Sequence, residues 1–149
     1  MIHERAYRIL LVDDDPNCLD AIDQILRREG YQTFPIDGGR AAIEIVAGND
    51  IDLAIVDFNL PDIDGLHVLY EIKRMRRSFP VILMTAGPSK EVRLASLEAG
   101  AYSFVPKPIN IPNFRQIVTR ALESPGLKTM EVRRQLVFTR WIRWIRHNK

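Results

Sequence analysis

Cysteine is almost missing from this chain: Cys18 is the only one in 149 residues. No intrachain disulfide can form, which excludes a disulfide-stapled fold and a zinc site built on several thiolates. Long apolar runs are missing too. None approaches the roughly 20 residues that cross a bilayer, and residues 1–7 carry no apolar stretch of the kind a signal peptide needs. His3, His67 and His147 are too scattered for a metal site or a proton relay. Gly38-Gly39 lacks the spacing of a phosphate-cradling loop, and no Ser/His/Asp set can be assembled. These absences point to a soluble, cytoplasmic chain held together by packing. Its 46% hydrophobic residues are enough for the core of one compact domain with an appendage.

Charge divides the chain. Residues 1–124 hold 14 Lys and Arg against 18 Asp and Glu, a net −4, whereas residues 125–149 hold 7 against 1, a net +6. The change falls at Ser124-Pro125-Gly126, a cluster of helix and strand breakers. A domain over 1–124 and a separate basic tail over 125–149 are therefore expected.

Within the first part, apolar runs suited to buried strands recur: Arg8–Val12, Leu53–Val56, Val81–Met84 and the shorter Tyr102–Val105, with Tyr31–Phe34 as a more alternating fifth. Stretches with helical spacing lie between them. Their apolar faces read Leu19, Ile22, Ile25, Leu26; then Ala42, Ile43, Val46, Ala47; then Leu66, Leu69, Ile72, Met75. Val92, Ala95, Leu97 and Ala99 mark a fourth face, and Phe114, Ile117, Val118 and Leu122 a fifth. Gly30, Pro80 and Gly100 punctuate the ends. A strand–helix unit repeated five times, with nearly continuous apolar strands, predicts a doubly wound α/β fold whose parallel sheet is covered on both faces. In such sheets ligands sit outside the carboxyl ends of the strands.

The residues just past those ends are Asp13, Asp14 and Asp15 after the first run, Asp57 after the third, Thr85 after the fourth and Lys107 after the fifth. Taken singly, each has an ordinary role: a strand-end Asp is a turn residue or helix cap, Thr a cap, Lys a solvated cation. Together they make a different case. Crowded carboxylates repel unless a cation joins them. Mg²⁺ suits the task, because it binds through a few carboxylates, keeps waters and accepts phosphate oxygens. A hydroxyl and an ammonium opposite would then hold a phosphoryl group on Asp57, and phosphoryl transfer needs little beyond such positioning and charge neutralisation.

Four motifs in order, Ile9–Pro16, Asp57–Gly65, Met84-Thr85-Ala86 and Val105-Pro106-Lys107-Pro108, carry a family resemblance over residues 6–123. The sequence resembles the CheY-like receiver domain of two-component response regulators. The resemblance implies a flavodoxin-like strand order, 2-1-3-4-5. It implies that Asp57 accepts a phosphoryl group from a sensor histidine kinase or phosphotransfer protein. Asp14 would bind Mg²⁺ directly and Asp13 mainly through water, with Asp57 and the backbone carbonyl of Asn59 completing the set; Asp15 stands outside it. Thr85 and Lys107 would hold phosphoryl oxygens, and Lys107-Pro108 matches the family's cis peptide bond. Phe104 matches its aromatic rotamer switch. The face made by the fourth helix, fifth strand and fifth helix would then serve an output partner or a homodimer. Gly87-Pro88 departs from the polar or acidic pair of many members and implies a stiffer loop. The chain reads as a signalling phospho-acceptor that catalyses only its own phosphorylation and dephosphorylation. The alternatives are the front portion of a longer regulator, or a haloacid-dehalogenase-type phosphohydrolase, which wants an acid where Asn59 stands.

Residues 127–147 have the spacing of an amphipathic helix. Val137, Phe138, Trp141, Ile142, Trp144 and Ile145 fall on one side, and Arg133, Arg140, Arg143 and Arg146 lie largely on the other. Packing on the first domain, pairing with a second chain, docking on an output partner and lying on an anionic membrane all fit this pattern. Direct DNA binding fits it poorly, since a helix-turn-helix needs a second helix.

Overall fold

A computed structural model describes residues 5–87 and 89–124. Ten elements alternate: β1 (Arg8–Val12), α1 (Pro16–Arg28), β2 (Gln32–Ile36), α2 (Gly39–Gly48), β3 (Leu53–Asp57), α3 (Gly65–Met75), β4 (Val81–Thr85), α4 (Lys90–Glu98), β5 (Ser103–Pro106) and α5 (Ile111–Leu122). The strands form one parallel sheet in the order β2-β1-β3-β4-β5. The Arg/Trp stretch at 125–149 lies outside the described residues.

Two cores follow from the period-two alternation of a strand. Ile9, Leu11, Leu53, Ile55, Ile82 and Met84 face Ile22 and Leu26 of α1 and Phe114 and Val118 of α5. Their neighbours Leu10, Val12, Ala54, Val56, Val81 and Leu83 turn to the other side and meet Ala42 and Val46 of α2 and Val68, Leu69 and Ile72 of α3. Each fully buried Leu or Ile contributes about 1.5–3 kcal/mol of transfer free energy. Because both faces are covered, the strands read as unbroken apolar runs.

Local chemistry sets the helix ends. Asp15, Asp64, Ser89 and Asn110 cap α1, α3, α4 and α5 by accepting a backbone N–H two or three residues on. Gly30 and Gly100 follow α1 and α4 at φ +88° and +95°, the left-handed conformation that stops a helix. The N-cap of α2 is Gly38, which has no side chain to offer, and its amides are served from a distance. The Asp62 carboxylate accepts from Gly39 N at 2.9 Å and from Arg40 N at 2.9 Å.

Three sequence expectations need correction. Ala47, expected on the apolar face of α2, is exposed, and that face is carried by Ala42 and Val46. β2 runs on through Pro35 to Ile36, because it is an edge strand and a proline whose missing N–H points off the sheet does no harm there. On α4 the inward face is Val92, Ala95, Ser96 and Ala99, with Ser96 buried and its hydroxyl donating to the Val92 carbonyl at 2.7 Å. Leu97 instead lies 46% exposed beside Leu94 at 49%.

Candidate functional site

Since every strand runs the same way, their carboxyl ends open on one edge, where Val12 pairs with Val56, Asp57 with Met84 and Thr85 with Pro106. Residues far apart in the chain therefore meet. One carboxylate oxygen each from Asp13, Asp14 and Asp57 lies within 4.8 Å of the others. Asp13 is 1% and Asp57 5% exposed, while Asp14 is open to solvent. Lys107, just past β5, closes the group: its Nζ donates to Asp13 Oδ2 at 2.7 Å and to Asp57 Oδ2 at 3.1 Å. The Lys107-Pro108 peptide is cis, as the resemblance implies.

The two buried carboxyls respond differently to one environment. Burial pushes both up. At Asp13 it is outweighed by the Cys18 thiol and the Lys107 ammonium, which hold the group below its usual range. At Asp57 burial prevails, with the Asp13 charge adding to it, so this carboxyl is shifted upward against the pull of Lys107. Burial opposes the charge on Lys107 as well, but hydrogen bonds to Asp13 and Asp57 outweigh it and raise its pKa. Burial and the adjacent Asp13 carboxylate push the Cys18 thiol up to about 11, so it stays protonated at neutral pH.

Three clustered carboxylates against one ammonium leave two negative charges uncompensated when all are ionised. That surplus, on oxygen donors and open to solvent on the Asp14 side, fits a hard divalent cation.

The remaining expected residues border the cluster. The Asn59 N–H donates to Asp57 Oδ1 at 3.3 Å. Thr85 is buried; its hydroxyl accepts from Gly87 N at 3.3 Å and its carbonyl from Lys107 N at 2.8 Å. Among the described residues no hydrogen bond joins the Thr85 hydroxyl to Asp57. Phe104 pairs with Leu83 across the sheet and is half-buried against the core shared with α2 and α3. Asp15 stands apart as the α1 cap. The sequence reading missed Asp62, which fastens the loop after Asp57 to the start of α2; the absence of a capping side chain at Gly38 is the one signal that points to it.

A model of the response regulator receiver domain matches residues 9–119. The chain belongs to that family. Among curated proteins it is 32% identical over 140 residues to the transcriptional regulatory protein GlrR of Escherichia coli, covering 94% of this chain and 31% of that one. It is 33% identical over 136 residues to the regulatory protein AtoC of E. coli, covering 90% and 29%. The chain thus spans less than a third of the length of these relatives. Among solved structures, the CheY-like receiver domain protein of Methanospirillum hungatei JF-1 superposes with a TM-score of 0.77 at 31% identity, over 80% of this chain and 95% of that one. The receiver domain of the sensor histidine kinase PA1611 of Pseudomonas aeruginosa PAO1 gives 0.74 at 29%, over 80% and 100%; that structure holds a magnesium ion coordinated in its active site cleft. The family assignment favours a receiver over the phosphohydrolase alternative.

Proposed function

We infer that this chain is a phospho-accepting switch in the cytoplasm and that Asp57 is the residue modified. The observation that carries the reading is the bridge from Lys107 to both Asp13 and Asp57 beside the third carboxylate, Asp14. In the reaction, an Asp57 carboxylate oxygen attacks the phosphorus of a phosphohistidine on a kinase or phosphotransfer protein. The phosphorus–nitrogen bond breaks, its electron pair returns to the imidazole, and an acyl phosphate forms. Mg²⁺, when bound, neutralises charge on the transferring oxygens. Asp13, Asp14, Asp57 and the Asn59 carbonyl would hold it. Lys107 keeps its charge throughout, because the two carboxylates raise its pKa, and it offers the phosphoryl group an ammonium already positioned on Asp57. Thr85 supplies a hydroxyl from the end of β4. Its movement toward the added oxygens would give Phe104 room to turn inward and remodel the α4–β5–α5 face that an output partner or a second copy reads.

The test is direct. The protein is incubated with Mg²⁺ and acetyl phosphate, and the mass gain of one phosphoryl group is located by peptide mapping. Uptake on Asp57, absent without Mg²⁺ and absent in Asp57→Ala, is the expected result; labelling that persists in Asp57→Ala overturns the assignment.

A second reading concerns what surrounds this domain. GlrR is a transcriptional regulatory protein and AtoC a regulatory protein by name, and this chain matches less than a third of each. The same switch therefore also suits the receiver portion of a longer regulator, with DNA binding carried by a segment outside this sequence. On either reading residues 1–124 form the receiver and 125–149 a separate basic element.

A further inference from the structure

One surface outside the carboxylate cluster combines shape, apolar character and charge of a single sign. An open groove of about 560 Å³ runs between the first half of α1, the carboxyl end of β2 and the start of α2. Leu19, Pro35 and Ile36 give it an apolar lining, Asp20, Asp23 and Asp37 ring it with carboxylates, and none of the residues that line it is basic. Asp23 is engaged by Arg27 and the Thr33 hydroxyl. Asp20 accepts only the Gln24 amide, and Asp37 has no ion-pair partner among the described residues. The groove is therefore an apolar trough with two uncompensated anions at its rim.

We propose that this groove is the docking site for the chain's own basic segment, residues 137–146. Three observations favour this occupant. The first is charge: the segment Val137–Arg146 contains Arg140, Arg143 and Arg146 and no acidic residue, against the carboxylates of Asp20 and Asp37. The second is apolar content. Trp141, Trp144 and Ile145 share one side at helical spacing and supply bulk for a trough of this size. The third is reach. α5 lies on the same side of the sheet as α1, and it is tied to the α1–β2 turn by Arg115–Glu29 at 3.1 Å and Tyr31–Thr119 at 3.5 Å. The chain leaves Ser124 near that turn, at the opposite end of α1 from the groove. α1 has 13 residues, a length of about 20 Å; residues 125–136 span up to about 40 Å when extended, and still about 22 Å with 127–136 helical and 125–126 extended. The segment can reach the groove without disturbing the sheet.

The chain supplies its own probe. Both of its tryptophans, Trp141 and Trp144, lie in the segment and none lies in residues 1–124, so tryptophan emission reports the segment alone. The full 149-residue chain is measured at low concentration, alongside Asp20→Lys/Asp37→Lys and alongside Glu91→Lys/Glu98→Lys, which makes the same charge change on α4. Far-UV circular dichroism verifies that all three are folded. Docking predicts short-wavelength emission protected from acrylamide in the wild type. It further predicts a shift to long wavelength with faster quenching in the groove variant, no shift in the α4 variant, and the same release in 1 M NaCl, where the Debye length falls to about 3 Å. Emission unchanged in the groove variant overturns the proposal, as does an equal shift in both variants. Protection that grows with protein concentration also overturns it, because it would place the segment on a second copy. None of these readouts depends on phosphorylation.

Discussion

Gly65 stands so close to the end of β3 that a Cβ on it would lie 2.5 Å from the Asp57 carbonyl oxygen and 2.8 Å from the Phe58 Cα. The Gly65 N–H also donates to the Phe58 carbonyl at 2.7 Å. Helix α3 thus starts against the backbone that presents Asp57, and no side chain fits between them. Gly65→Ala is expected to cost about 1–3 kcal/mol, the usual range for overpacking. Its rate of phosphoryl uptake should fall as well, because the strain is applied at the Asp57 peptide. Urea unfolding and acetyl phosphate labelling on the same sample check both parts.

Asp57 has a stability cost that can be separated from its chemistry. Burial and the Asp13 charge raise its pKa, so folding favours the protonated form and the ionised carboxylate destabilises the fold above that pKa. Asp57→Asn removes the charge and is expected to unfold at higher urea concentration than the wild type near neutral pH, without Mg²⁺. The advantage should vanish as pH falls and wild-type Asp57 becomes protonated. Labelling by acetyl phosphate should be lost in the same protein.

Asp62 gives the opposite sign. N–H bonds from Arg40 and Gly39 hold its carboxyl down at about 2, from an ordinary 3.8. The stability it contributes is complete above the unfolded value and is lost as pH falls through the folded one. Asp62→Ala should therefore be less stable than the wild type near neutral pH, and the gap should close between about 4 and about 2. Chemical denaturation across that range is the measurement.

Mg²⁺ should stabilise the domain. A ligand that binds only the folded state adds about 2.7 kcal/mol at 100 times its Kd. Thermal unfolding is expected to shift upward with added Mg²⁺ and to return on addition of EDTA. Asp14→Asn should lose most of the shift while staying folded, because Asp14 is exposed and holds none of the core.

Much of this was legible in the sequence, for a physical reason. A doubly covered parallel sheet requires apolar strands, and its chemistry has to collect at the strand ends, so Asp13, Asp14, Asp57, Thr85 and Lys107 could be named from their places after those runs. The parts that escaped depend on geometry at a distance. Ser96 hides its polarity in a bond to its own helix, so α4 reads with the wrong inward residue. Pro35 looks like a strand breaker until the strand is known to be an edge. Asp62 caps a helix 22 residues before it in sequence, with no local pattern to announce the pairing.

That edge has a further consequence. Gln32 donates its N–H to Tyr7 and the Ile36 carbonyl accepts from Asp13, so alternation turns the backbone of Thr33 and Pro35 to the open side of β2. An incoming strand would find a donor at Thr33 and none at Pro35, too sparse a ladder to grow on. Strand addition is thereby disfavoured at this margin, so the two edges of the sheet differ: β2 resists a new neighbour through its proline, independently of the β5 edge.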